Sequence, residues 1–237
     1  MLGLGSSIVS GGVLEEVDIA SEIASGNLAL LPNIEHWFKH NTGITHNGGS
    51  PDWKATQWND QIGTKHWLAS ANHPVYDGTT GTLKFNGAAK VMITTGGTTS
   101  DIELDGDFAV YCRIKFASTP NSTDILFKDS DVTNQFLRVN DATTIRAKMQ
   151  SSSLDWTVGT MGTSAYYNIG IERSGSNVRV YLDGTESSTG ALSNSNTWDI
   201  DTLKGGASDF FSTMVIVKGA ALSSSHRSSL NTYLNTL

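Results

Sequence analysis

Apolar and polar residues alternate with a period of two along much of this chain, and that alternation predicts strands. In Phe108-Ala-Val-Tyr-Cys-Arg-Ile-Lys-Phe116 it puts Phe108, Val110, Cys112, Ile114 and Phe116 on one face. Shorter stretches with strand character lie at 125–127, 136–139, 144–149, 156–158 and 167–172. Val178-Arg-Val-Tyr-Leu182 is the clearest, with Arg179 and Tyr181 opposite Val178, Val180 and Leu182. Turn chemistry punctuates them: Arg173-Ser-Gly-Ser-Asn177 suits a hairpin, and Asp183-Gly184 is a strong turn signal. The helical period appears near the C-terminus, where Ser223 to Ser225 can cap a helix with the stripe Leu230, Tyr233, Leu234 and Leu237. There is no internal repeat, heptad or low-complexity linker.

Composition agrees with this pattern. The chain has 24 Gly and only 4 Pro in 237 residues, with many Ser and Thr, which suits short strands and turns. All-β sandwiches of this length commonly form one domain. Charged residues make up 16%, and the formal net charge of −7 lacks the clustered Lys and Arg that a nucleic-acid partner requires. No stretch reaches the roughly 18 apolar residues that cross a membrane as a helix. The single cysteine, Cys112, sits within an apolar alternation and is read as a core residue.

Residues 1–31 differ in character, with no Lys, Arg or aromatic residue. The segment 1–32 is read as an N-terminal docking arm, its contacts supplied by Leu2, Leu4, Ile8, Val9, Val13 and Leu14; a disordered tail is the plainer alternative. A short helix over roughly 13–25 is expected, with Glu15, Glu16 and Asp18 in its first turns. The segment has neither the basic start nor the continuous apolar run of a secretory signal, so a chain made in the cytoplasm without export is expected.

From residue 33 the aromatic density rises. Trp37 is followed by Trp58-Asn-Asp-Gln-Ile-Gly63, His73-Pro-Val-Tyr-Asp77 and Leu83-Lys-Phe-Asn-Gly87. Near the end come Asn177-Val-Arg-Val-Tyr-Leu-Asp-Gly184, Leu203-Lys-Gly-Gly-Ala207 and Met214-Val-Ile-Val-Lys218. This succession, over 33–237, resembles the concanavalin A-like lectin/glucanase domain in its laminin-G-like form. The resemblance implies an all-β, two-sheet jelly-roll sandwich with a short C-terminal helix, and it places Trp37 and Trp58 in the core. That fold serves glycan binding, glycan hydrolysis and purely structural roles, so it leaves the function open.

Three constellations bear on the choice. Asp101, Glu103, Asp105 and Asp107 offer hard oxygen ligands suited to calcium. The first three, at i, i+2 and i+4, would also share one face of a strand, as paired carboxylates of a glycosidase do. The glucanases of this fold order such a triplet Glu, Asp, Glu, whereas here it runs Asp, Glu, Asp; a solvated turn is the plainer reading. Five of the six histidines (His36, His40, His46, His66 and His73) fall between 36 and 73, a conceivable metal site set against half-buried packing. Trp53, Trp67, Trp156 and Trp198 are the candidate sugar-stacking residues, against core packing.

No nucleophile elbow, P-loop or dinucleotide fingerprint appears, and no enzymatic activity is expected. A chain without an export signal, with an apolar arm and a catalytically bare lectin-like domain, resembles virion proteins of tailed bacteriophages, particularly those infecting marine cyanobacteria. The resemblance implies a structural protein of capsid, tail or fibre that contacts other virion proteins and forms homo-oligomers. The rival expectation is a carbohydrate-binding module for host-surface polysaccharide, with calcium as its possible cofactor.

Overall fold

The computed structural model of the protein describes residues 18–49, 53–85, 90–96, 101–131, 134–203 and 209–237. Helix α1 (Ile19–Ala24) precedes strands β1 (Ile34–Phe38), β2 (Ile44–Asn47), β3 (Trp53–Trp58), β4 (Trp67–Ala69), β5 (Val75–Asp77), β6 (Thr82–Phe85) and β7 (Met92–Thr94). Next come β8 (Ile102–Leu104), β9 (Phe108–Lys115), β10 (Asp124–Lys128), β11 (Gln135–Asp141), β12 (Thr144–Met149) and β13 (Ser152–Thr157). The last group is β14 (Tyr166–Ser174), β15 (Asn177–Leu182), β16 (Thr185–Glu186), β17 (Leu192–Ser193), β18 (Trp198–Ile200), β19 (Thr202–Leu203) and β20 (Asp209–Lys218), followed by helix α2 (Ser224–Leu234).

The described strands build an antiparallel β-sandwich. One layer runs β15, β14, β9, β20, and beyond β20 both β1 and β6 pair along its far edge. The other runs β4, β7, β19, β10, β11, β12, β13. The layers meet at β3, which pairs with β5 through Trp53 and Lys54 and with β4 through Gln57 and Trp58. A small separate pair, β8 with β18, closes one end.

Period-two alternation accounts for the main core. Phe108, Val110, Cys112 and Ile114 of β9 face Leu137, Val139, Ile145, Ala147 and Met149 of the opposite layer, all fully or almost fully buried. Burial in that apolar setting pushes the Cys112 thiol up to about 12, so it behaves as the expected small hydrophobe. Gly170 opposes Tyr111 across β14 and β9. A Cβ there would come within 2.2 Å of the tyrosine ring, which explains a glycine inside a strand.

A second, smaller core lies on the outer face of the first layer. Trp37, Tyr111, Tyr181 and Val215 pack there against Ile23, Leu28 and Leu31 and against Leu230, Tyr233 and Leu234 of α2. Helix α1 is capped by Asp18, whose carboxylate accepts from Ala20 N at 3.1 Å, and α2 by Ser223, which accepts from His226 N at 3.1 Å. Gly26, at φ +103°, lets the chain pass Tyr233, whose ring would lie 2.9 Å from any Cβ.

Ile23, Leu28 and Leu31 are buried in this second core, so the described part of the segment read as an arm, residues 18–31, packs on the sandwich. The helix spans Ile19–Ala24, shorter than the expected 13–25, with Asp18 as its cap rather than inside its first turn. The arm residues Leu2, Leu4, Ile8, Val9, Val13 and Leu14 lie outside the described residues.

Candidate functional site

The expected sugar-stacking tryptophans separate sharply by burial. Trp67, Trp156 and Trp198 are 0% exposed, and their rings belong to the core. Trp67 packs 5.4 Å from Phe38, and Trp198 lies 5.4 Å from Phe127. These three are therefore corrected from contact candidates to packing residues, because a sugar cannot reach an indole with no exposed surface. Trp37 and Trp58 are buried as well, as expected. Trp53 alone of the six tryptophans is not buried.

Local pairing sets the surroundings of Trp53. It opposes Tyr76 in the β3–β5 ladder, and His46 reaches the same side from β2 beside a register shift. The Trp53 and His46 rings are parallel within 3°, with centroids 4.7 Å apart. Tyr76 lies 5.8 Å from Trp53 and 5.4 Å from His46, tilted 21° to each. Its hydroxyl donates to the side-chain carbonyl of Asn41, an exposed residue at φ +50°. The indole rests against the Gly78 turn, where a Cβ would sit 2.4 Å from the ring. Asp77 fixes that turn by accepting from Thr79 N at 2.9 Å. Burial would raise its carboxyl, but hydrogen bonds from Thr79 and Thr80 and the charge of Lys84 outweigh it and hold it low. The result is a solvent-reached platform of three near-parallel rings bordered by an amide. Such rings stack on the apolar face of a pyranose, and the amide can orient its hydroxyls.

The acidic constellation is rearranged. Asp101 brings a carboxylate oxygen to within 4.8 Å of oxygens of Asp129 and Asp201. The other three expected members diverge: Glu103 is exposed on β8, Asp105 pairs with Lys218 at 3.1 Å, and Asp107 accepts from Gly175 N at 2.6 Å. Asp101 and Glu103 line one cleft, but β8 ends at Leu104 and the chain turns at Gly106 (φ +68°), which carries Asp105 and Asp107 away from them. Burial pushes the Asp101 carboxyl up to about 6, assisted by Asp129, Asp199 and Asp201. Asp201 is fully buried and accepts from Ser130 N at 2.8 Å and Thr202 Oγ1 at 2.6 Å. Hard oxygens of this kind are the donor type calcium takes, but the set differs from the expected one. Nothing adjacent in sequence announces Asp129 and Asp201, which reach Asp101 only through the meeting of β19 and β10.

The histidines do not gather. His36 is buried and its Nδ1 lies 2.5 Å from Asp60 Oδ2, His40 bonds Ser212 at 2.8 Å, and His73 bonds the Ala55 carbonyl at 3.1 Å. Asp60 also accepts from Trp37 N at 2.9 Å and Ile62 N at 3.0 Å. Burial would raise its carboxyl, but these bonds and His36 prevail and hold it low. The Trp58–Gly63 element therefore clamps β1 to the loop after β3, a structural task. At Gly63 a Cβ would meet Asp60 Oδ2 at 2.6 Å and His36 Nδ1 at 2.7 Å.

Open clefts lie beside these features, among them one of about 330 Å³ lined by His36, Asp101, Glu103 and Lys218. One of about 470 Å³ runs between the loop after β13 and the β15–β16 turn, with Leu182, Tyr167 and several Ser and Thr hydroxyls. Another, of about 280 Å³, opens beside β3 and β5.

The fold and this surface define an all-β sandwich carrying a partly exposed aromatic cluster, with Trp53 and Tyr76 half-buried and His46 exposed. No protein-family model matches the sequence, and no curated protein does. Among solved structures, the chain is similar to Trypanosoma rangeli sialidase in complex with sialic acid (TM-score 0.58, 13% identity), over 86% of this chain and 33% of that one. It is also similar to the binding domain of Paraclostridial Mosquitocidal Protein 1 (TM-score 0.53, 13% identity, 80% and 51% covered). A third is Domain 4 of AbnA, an extracellular arabinanase from Geobacillus stearothermophilus in complex with arabinotriose (TM-score 0.51, 14% identity, 84% and 98% covered). The chain spans about a third of the sialidase and nearly all of the arabinanase domain. At these identities the likeness is one of fold.

Proposed function

We propose that this protein is a non-enzymatic carbohydrate-binding module of concanavalin A-like architecture, which holds saccharide rings on the Trp53–Tyr76–His46 platform. The observation that carries it is the position of Trp53. The fold buries five of the six indoles and leaves this one half-buried among near-parallel rings. The part of this half-buried cluster that water still reaches costs hydration free energy, and stacking on a sugar ring recovers it. That two structural neighbours are a toxin's binding domain and an arabinanase domain in complex with arabinotriose supports the reading. Saturable quenching of tryptophan fluorescence by oligosaccharides, lost in Trp53→Ala, tests it; release of reducing sugar from the same oligosaccharides would overturn the non-enzymatic part.

A second reading, compatible with the first, is a bacteriophage virion component that displays this module. What favours it is the sequence of Met1–Gly12, an apolar run punctuated by Gly and Ser with no basic residue. Co-banding of the protein with phage particles on a density gradient supports it, and recovery only in the soluble fraction removes it.

A further inference from the structure

The 280 Å³ cleft beside β3 and β5 is lined, among the described residues, by Lys54, Ala71, Asn72, His73, Val75 and Lys90, with no carboxylate among these. That is unusual in a chain of net charge −7. Most described cations are already engaged. Arg146, Arg179, Lys218 and Arg227 pair with carboxylates, while Lys39, Lys84 and Lys115 lie over aromatic rings. Lys54 and Lys90 have neither kind of partner among the described residues. His73 is anchored by its Nδ1, which donates to the Ala55 carbonyl at 3.1 Å, and Asn72 adds an exposed amide. Lys54 follows Trp53 directly and opposes Val75, the neighbour of Tyr76. Alternation along a strand therefore puts the cationic cleft and the aromatic platform on opposite faces of the same two strands.

We propose that this cleft is an anion subsite that takes the carboxylate or sulfate group of an acidic saccharide, so that the ligand class of the module is a uronate- or sulfate-bearing polysaccharide. The proposal rests on the carbohydrate reading above. Two ammonium groups with no carboxylate partner among the described residues supply attraction that a neutral sugar cannot use. The Val75 and Ala71 side chains supply an apolar wall for the ring that carries the acid.

The test uses calorimetric titration of the full chain with oligogalacturonate and its methyl ester, with sulfated and desulfated galactan oligosaccharides, and with neutral arabinan. The expected result is tighter binding of one acidic form than of its uncharged counterpart, weakening as salt rises. Lys54→Met/Lys90→Met should lower that affinity about tenfold while leaving the uncharged counterpart unchanged. Lys54→Arg/Lys90→Arg should retain it. Lys128→Met/Lys148→Met removes the same charge elsewhere and should leave it intact; an equal loss there would mean general charge attraction and overturn the subsite. Equal affinity for charged and uncharged forms also overturns it, as does undiminished acid binding in Lys54→Met/Lys90→Met. If only uncharged glycans bind, through Trp53, the subsite fails and the carbohydrate reading stands. Failure of every saccharide to bind removes both.

Discussion

Glu172 on β14 receives both Nε and Nη2 of Arg227 on α2 at 2.8 Å, and Tyr111 adds a hydroxyl bond to the same carboxylate at 2.5 Å. Glu172 is 3% exposed, so this bidentate pair is the polar centre of the core between α2 and the outer face of the sandwich. The Arg227 guanidinium also lies 4.2 Å over the Tyr181 ring. Truncating one partner strands a buried charge. Arg227→Met should therefore cost about 2–4 kcal/mol in urea unfolding. Removing both partners, in Arg227→Met/Glu172→Leu, should recover most of it. A single variant as stable as the parent would show the pair contributes little.

The Asp60 clamp predicts both steric and pH effects. Gly63→Ala should destabilise by about 1–3 kcal/mol, because its Cβ would collide with the carboxylate and imidazole beside it. Asp60 is held below its ordinary range, so its contribution is present at neutral pH and lost as pH falls below about 4. Asp60→Asn should accordingly lower the melting temperature at pH 7, with the difference shrinking as pH falls below about 4. Parallel pH profiles would contradict the clamp.

Asp101 has the opposite sign. Its carboxyl is raised to about 6, so the folded state holds a proton that the unfolded state has already released. Its cost grows as pH rises from about 4 to 6 and is complete above that. Asp101→Asn should raise the melting temperature by about 2–4 °C at pH 7.5 in the presence of a chelator, with the gain vanishing near pH 4. A gain that turns into a loss on adding millimolar calcium would instead mean that the carboxylate trio is occupied by the cation.

The strands were legible because β9, β12 and β15 alternate cleanly, and α2 because Ser223 and the Leu230–Leu234 stripe are local signals. What was not legible depends on distant partners. The alternation of β9 suggests one wet face, yet Ala109 and Tyr111 are covered by Ile23 and Leu230, which only the packing of both helices reveals. Trp67 reads as a loop residue until β4 is seen to pair with β3 and β7. Trp53 was a candidate from sequence, but Tyr76 and His46 beside it were not, because cross-strand register sets that grouping. The acid series misled because an i, i+2 pattern implies a shared face only within a continuous strand, and β8 ends at Leu104.

The central claim concerns the Trp53 cluster, and the most direct measurement is titration of the protein and of Trp53→Ala with an oligosaccharide panel, followed by calorimetry. The account predicts saturable binding of at least one saccharide by the parent and a loss of about tenfold or more in the variant, with the sandwich still folded. Flat titrations across the panel, or equal affinity in the variant, would contradict it.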